Sequence, residues 1–105
     1  LNNKLLAIIK RFPCKNRAIV SNASKNNIEA ILKYFKLSDE FKLIICPNSY
    51  CKPKPNPDVY VKAIKKINTN KTQIIAVEDS KTGYESAIRA GLNCFYVWDF
   101  INEYY

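Results

Sequence analysis

The chain has 105 residues, 48% hydrophobic and 25% charged, with 17 basic against 9 acidic side chains and no histidine. This composition fits one small globular domain over residues 1–105 and excludes a low-complexity disordered segment, while the lack of histidine excludes Ser-His-Asp and Cys-His mechanisms. No apolar run approaches the ~18 residues of a membrane span and no charged-then-apolar leader is visible, so we expect a cytoplasmic chain without a membrane partner. The first residue is Leu1 rather than Met, which leads us to expect a piece of something longer or a processed product.

In chain order, Leu5, Ile8, Ile9 and Phe12 fall at i, i+3, i+4 and i+7, a helix that Pro13 should stop. Arg17 to Val20 reads as a strand, and Ser21, Asn22, Ala23 and Ser24 turn into a second helix with Ile28, Ile31, Leu32 and Phe35 on one face. Leu43 to Cys46 is another short apolar strand. A proline-rich loop, Pro47 to Pro57, leads into a third helix that turns Tyr60, Ala63, Ile64 and Ile67 inward and Lys62, Lys65 and Lys66 outward, with Asn56 as N-cap and Pro57 at its first position. Ile74 to Val77 suits a strand buried on both faces. It ends in the acidic pair Glu78–Asp79, and Ser80 can cap a fourth helix whose Tyr84, Ala87 and Ile88 share a face before Gly91 ends it. Asn93 to Val97 makes the last strand. Strands alternating with helices predict an α/β fold, a Rossmann-like parallel sheet with flanking helices.

The charge of +8 would suit an anionic partner. Nucleic acid is disfavoured, however, because 14 of the 17 cations are lysines spread along the whole chain and only Arg11, Arg17 and Arg89 could make forked contacts. The cysteines Cys14, Cys46, Cys51 and Cys94 form no Cys-x-x-Cys pair, which speaks against zinc and for reduced thiols.

Ligands of open α/β sheets gather outside the carboxyl ends of the strands, and three loops there carry complementary groups. Ser21 and Asn22 could hold a phosphate oxygen, or Ser21 or Ser24 could serve only as an N-cap. Lys54, between Pro53 and Pro55, is a charge on a stiff arm, or a solvated loop lysine. Glu78 and Asp79 could hold a hard cation such as Mg²⁺, or favour the helix dipole.

Taken together, VSNAS, KPNPDVY and VEDSKTGYESAIRAG resemble the haloacid dehalogenase superfamily, most closely its β-phosphoglucomutase-like phosphatase branch. The resemblance runs from Leu5 to Val97. It implies that Ser21 matches the family's second motif, Lys54 rather than Lys52 its third, and Glu78 and Asp79 its fourth. Ser21 and Lys54 would be catalytic, stabilising the transferring phosphoryl group with Asn22 beside them, and Glu78 and Asp79 would bind Mg²⁺. The substrate implied is a small phosphorylated molecule.

The family's nucleophile is the first Asp of an Asp-x-Asp motif, and no Asp-x-Asp occurs here. The chain therefore reads as a partial core, the C-terminal part of an enzyme acting through an aspartyl-phosphate and inactive alone. The other reading is a non-catalytic interaction module on a degenerate core. In the family's sheet order the absent strand would lie between the strands at Arg17–Val20 and Ile74–Val77. Two edges would then be left unpaired, either prompting self-association or pairing directly with each other.

Overall fold

The computed structural model describes residues 3–99, without the side chain of Leu5. Four helices alternate with four strands: α1 (Asn3–Ile9), β1 (Ala18–Val20), α2 (Lys25–Tyr34), β2 (Leu43–Ile45), α3 (Asp58–Ile67), β3 (Ile75–Glu78), α4 (Lys81–Arg89) and β4 (Asn93–Tyr96). Single 3₁₀ turns at Cys14–Asn16 and Lys71–Gln73 lead into β1 and β3. The expected α/β architecture is present, and every strand pairing is parallel.

Local chemistry sets most boundaries. Ser24 Oγ accepts from Asn27 N–H at the start of α2, and Ser80 Oγ accepts from Gly83 N–H at the start of α4, each satisfying a donor the helix itself cannot. Asn68 ends α3 in the left-handed conformation, and Gly91 follows α4 with φ of 88°. Each strand limit falls within one residue of the sequence reading, β3 running one residue further to take in Glu78, and two helix boundaries differ from it. Helix α1 ends at Ile9, where i→i+3 bonds from Arg11 to Ile8 and from Phe12 to Ile9 tighten the chain ahead of Pro13. Helix α3 begins at Asp58 with Pro57 as its N-cap, and Asn56 Oδ1 accepts from Asp58 N–H instead of capping directly.

The core gathers Ile45, Cys51, Val59, Tyr60, Ala63, Ala76, Ala87, Ala90 and Leu92, so α3 and α4 pack on the Ala76 face of β3. Three expected faces are corrected. In α2 only Leu32 is buried while Ile31 and the C-cap Phe35 are exposed, because β1 and β2, three residues each, offer too little apolar surface to cover a ten-residue helix. In α4 the buried side is Gly83, Ser86 and Ala87, not Tyr84, Ala87 and Ile88; small residues let this helix approach its neighbours closely. Strand β3 is covered on one face only, with Ile75 64% and Val77 39% exposed on the other. Ile8 of α1 and Phe12, just beyond that helix, are also exposed.

The strands do not form one continuous ladder. β1 pairs with β2 (Ala18 opposite Leu43, Val20 opposite Ile45) and β3 with β4 (Ile75 opposite Asn93, Glu78 opposite Tyr96), as two separate pairs. Of the two outcomes expected for the unpaired edges, direct pairing of β1 with β3 is not adopted.

Candidate functional site

The loop before α3 is held at several points, which fixes where Lys54 stands. Asn22 grips its backbone twice: Lys54 N–H donates to Asn22 Oδ1 at 2.8 Å, and Asn22 Nδ2 donates to the Lys54 carbonyl at 3.2 Å. Lys52 N–H donates to Asp58 Oδ2, and the fully buried Ser86 of α4 donates its hydroxyl to the Asn56 carbonyl at 2.7 Å. The lysine arm is thus tied to the loop after β1 on one side and to α4 on the other.

From this arm the Lys54 amine donates to the Val20 carbonyl at 2.8 Å and to Glu78 Oε2 at 2.6 Å. Val20 is the last residue of β1 and Glu78 the last of β3, so one cation joins the carboxyl ends of the two strand pairs. The ion pair is deeply placed, with side-chain exposures of 10% for Lys54 and 7% for Glu78. Tyr60, on the buried side of α3, donates its hydroxyl to the same carboxylate oxygen, and the Lys54 amine lies 5.3 Å from its ring centroid. Burial first, and then the hydrogen bond and charge of Glu78, push the Tyr60 hydroxyl well above its ordinary pKa, so it remains a donor. Cys94, on β4, is pushed up to about 11 by burial first and then by Glu78, against an opposing effect of Lys54. A Cβ on Gly83 would collide with Glu78 Oε1, so only glycine lets the first turn of α4 pass this carboxylate.

The structure therefore brings Asn22 and Glu78 each into contact with Lys54, the first with its backbone and the second with its amine. Ser21 and Asp79 follow Val20 and Glu78 at the same strand ends. The Ser21 hydroxyl accepts from Ala23 N–H at 3.1 Å in a local turn. Asp79 is exposed, its carbonyl accepts from the Trp98 indole N–H, and no hydrogen bond or ion pair engages its carboxylate among the described residues. Among those residues there is also no group of three or more acidic or thiol side chains that could enclose a metal by themselves. Lys52, the other loop lysine, is exposed. Sequence reading missed Tyr60 as anything but core, gave Gly83 no role beyond its place in the Ser-x-x-Gly helix start of the family's fourth motif, and missed Ser86 altogether. A hydroxyl on the buried stripe of α3, one turn beyond the lysine arm, is the signal that could have found Tyr60.

Two of the three arginines that could fork onto a nucleic acid are engaged internally. Arg17 meets Glu40 at 2.7 Å and also donates to the Phe12, Lys10 and Glu40 carbonyls, while Arg89 meets Glu85 at 2.6 Å.

The family profile described as haloacid dehalogenase-like hydrolase matches residues 13–97. Beta-phosphoglucomutase of Bacillus subtilis is 29% identical over 92 residues, covering 84% of this chain and 41% of that protein. Among solved structures, a subfamily IA hydrolase of the superfamily from Geobacter sulfurreducens superposes with a TM-score of 0.78 at 19% identity, over 90% of this chain and 49% of that one. CbbY from Rhodobacter sphaeroides, solved in complex with phosphate, does so with a TM-score of 0.73 at 30% identity, over 87% and 41%. The chain thus spans less than half the length of each of these relatives.

Proposed function

Because the chain belongs to the haloacid dehalogenase-like hydrolases, we propose that it supplies the phosphate-binding half of a phosphoester hydrolase or phosphomutase that acts on a small phosphorylated substrate. The observation that supports this most directly is the Lys54 amine, fixed between Val20 and Glu78 at the carboxyl ends of β1 and β3. A pre-positioned cation at that edge stabilises charge gathering on phosphoryl oxygens without having to reorganise. Ser21 and Asn22, directly after β1, are the neighbouring polar groups for the same oxygens.

Glu78 and Asp79 are the residues for magnesium. A magnesium ion uses one or two carboxylates and completes its octahedron with water and phosphate oxygens, so an open Asp79 beside a tethered Glu78 suits it. The ion, when bound, would neutralise charge on the phosphoryl oxygens. The nucleophile in this reading is an aspartate of an Asp-x-Asp segment, which this chain does not contain. Its carboxylate oxygen bonds to phosphorus as the ester P–O bond breaks, and the second aspartate's carboxyl group gives its proton to the leaving alkoxide. Water or an acceptor hydroxyl then releases the phosphoryl group from the acyl phosphate.

The test is turnover of p-nitrophenyl phosphate with magnesium, by the chain alone and with an added Asp-x-Asp segment. We expect no turnover alone, and turnover with the segment that Asp79→Asn removes. Activity of the chain alone that disappears in Asp79→Asn would overturn the assignment of the nucleophile to another segment. The second reading, a non-catalytic interaction module, is favoured by the separation of the two strand pairs, and it would prevail if the added segment bound without restoring turnover.

A further inference from the structure

Tyr60 lies on the buried side of α3, where its hydroxyl adds nothing to apolar packing. A buried phenol hydroxyl needs an acceptor, and this one uses Glu78 Oε2, the same oxygen that receives the Lys54 amine. Tyr60 and Lys54 therefore share one acceptor atom. The ring also stands beside the amine, with Nζ 5.3 Å from its centroid. One side chain thus touches both members of the buried ion pair, the anion through its hydroxyl and the cation through its face.

Sharing limits how Lys54 can bind Glu78. A lysine facing an otherwise unpartnered carboxylate is drawn between its two oxygens by simple electrostatics. Here that arrangement is blocked. Glu78 Oε1 lies against the first turn of α4, where a Cβ on Gly83 would collide with it, and Oε2 already accepts from Tyr60. The carboxylate cannot turn both oxygens to the amine, which is left at one side of Oε2, where a second N–H reaches the Val20 carbonyl at 2.8 Å. An ammonium has three N–H donors. Two are used at Val20 and Glu78, and no oxygen among the described residues accepts the third. Because the hydroxyl also draws on the negative charge of Glu78, the lysine is only partly neutralised in a place that little water screens.

We propose that Tyr60 is a positioning residue: its hydroxyl and ring set where the Lys54 amine stands, and through the amine they set the affinity of the site for a phosphate oxyanion. The link to phosphate rests on the function proposed above, whereas the placement of the amine does not. Without the hydroxyl, Glu78 turns both oxygens onto Lys54 and the amine leaves the Val20 carbonyl. The ion pair then satisfies itself, and an incoming oxyanion has to break it. The ring acts separately, since its negative face holds the amine on the α3 side of the site.

The test uses the whole chain, with inorganic phosphate as the probe, in a titration followed through the amide shifts of Ser21 and Asn22. Tyr60→Phe should raise the Kd for phosphate about ten-fold, in keeping with the loss of one hydrogen bond to a charged group. In a Glu78→Gln background, where the shared anion is absent, the same change should alter Kd by less than about two-fold. A hydroxyl that only stabilised the core would lower the melting temperature without this dependence on Glu78. A crystal structure of Tyr60→Phe should place the Lys54 amine beyond hydrogen-bond reach of the Val20 carbonyl, with both Glu78 oxygens facing it. That structure keeps the proposal falsifiable if the Glu78→Gln chain does not fold. An unchanged Kd in Tyr60→Phe, an equal loss in the two backgrounds, or a Tyr60→Phe structure that keeps both Lys54 contacts would each overturn the proposal. If the unaltered chain binds no phosphate, the functional reading fails instead, and the position of the amine in the Tyr60→Phe structure alone decides whether Tyr60 places it.

Discussion

A single carboxylate, Glu78, takes hydrogen bonds from Lys54 and Tyr60 while lying almost wholly out of water, so each partner carries more weight than a surface contact would. Lys54→Met should destabilise the fold by about 3–5 kcal/mol, because it strands a buried charge, and adding Glu78→Gln should recover part of that loss. Urea denaturation of the single and double variants checks this; additive effects would mean the two groups do not interact. Gly83→Ala should cost about 1–3 kcal/mol through the collision of its methyl group with Glu78 Oε1, although alanine is the better helix former. Cys94 supplies a pH signature. Its thiol pKa is raised from 9.0 to about 11, so the folded state holds that proton more tightly than the unfolded state does. The stability this provides is complete below pH 9.0 and is lost as pH rises through about 11. Cys94→Ala should flatten the alkaline limb of a plot of melting temperature against pH over that range.

At the scale of elements, α4 shows how small residues do positional work. Gly83, Ser86 and Ala87 let the helix lie close to β3 and to the lysine loop, and Ser86 satisfies the Asn56 carbonyl from within the core. Ser86→Ala should cost about 1–2 kcal/mol, since it leaves that carbonyl without its donor, and should speed amide exchange in the loop from Pro53 to Pro57. Unchanged loop exchange would show that α4 does not fix the lysine arm. Ile75 gives the contrast. A strand residue normally assigned to the core is here 64% exposed, so Ile75→Thr should change stability by no more than about 0.5 kcal/mol in thermal melts.

For the whole molecule, two opposing features decide behaviour in solution. The edges of β1 and β3 and the exposed apolar side of β3 favour association, whereas a net charge of +8 on 105 residues opposes it. Salt should tip the balance: raising it from about 10 mM to about 500 mM shortens the Debye length from roughly 30 Å to under 5 Å and should raise the sedimentation coefficient. A monomer at both ionic strengths would show that the open edges alone do not drive association.

How much was legible follows from the range of the physics involved. Alternating helices and strands, the Ser24 and Ser80 caps and the Gly91 turn are local, set by residues a few positions apart, and the sequence carried them. The motif order likewise pointed to the superfamily that the profile match then showed over residues 13–97. Which face of a helix or strand is buried depends instead on what the rest of the chain offers to cover it. Local periodicity therefore misplaced the buried faces of α2, α4 and β3. Tyr60 and Gly83 belong to the Glu78 site through contacts across 18 residues and across a backbone approach too close for a methyl group, neither of which leaves a periodic trace. The fold class was thus determined by the sequence itself. The two-pair sheet, and the single amine that joins its halves, were decided only in three dimensions, because both rest on contacts between residues remote in the chain.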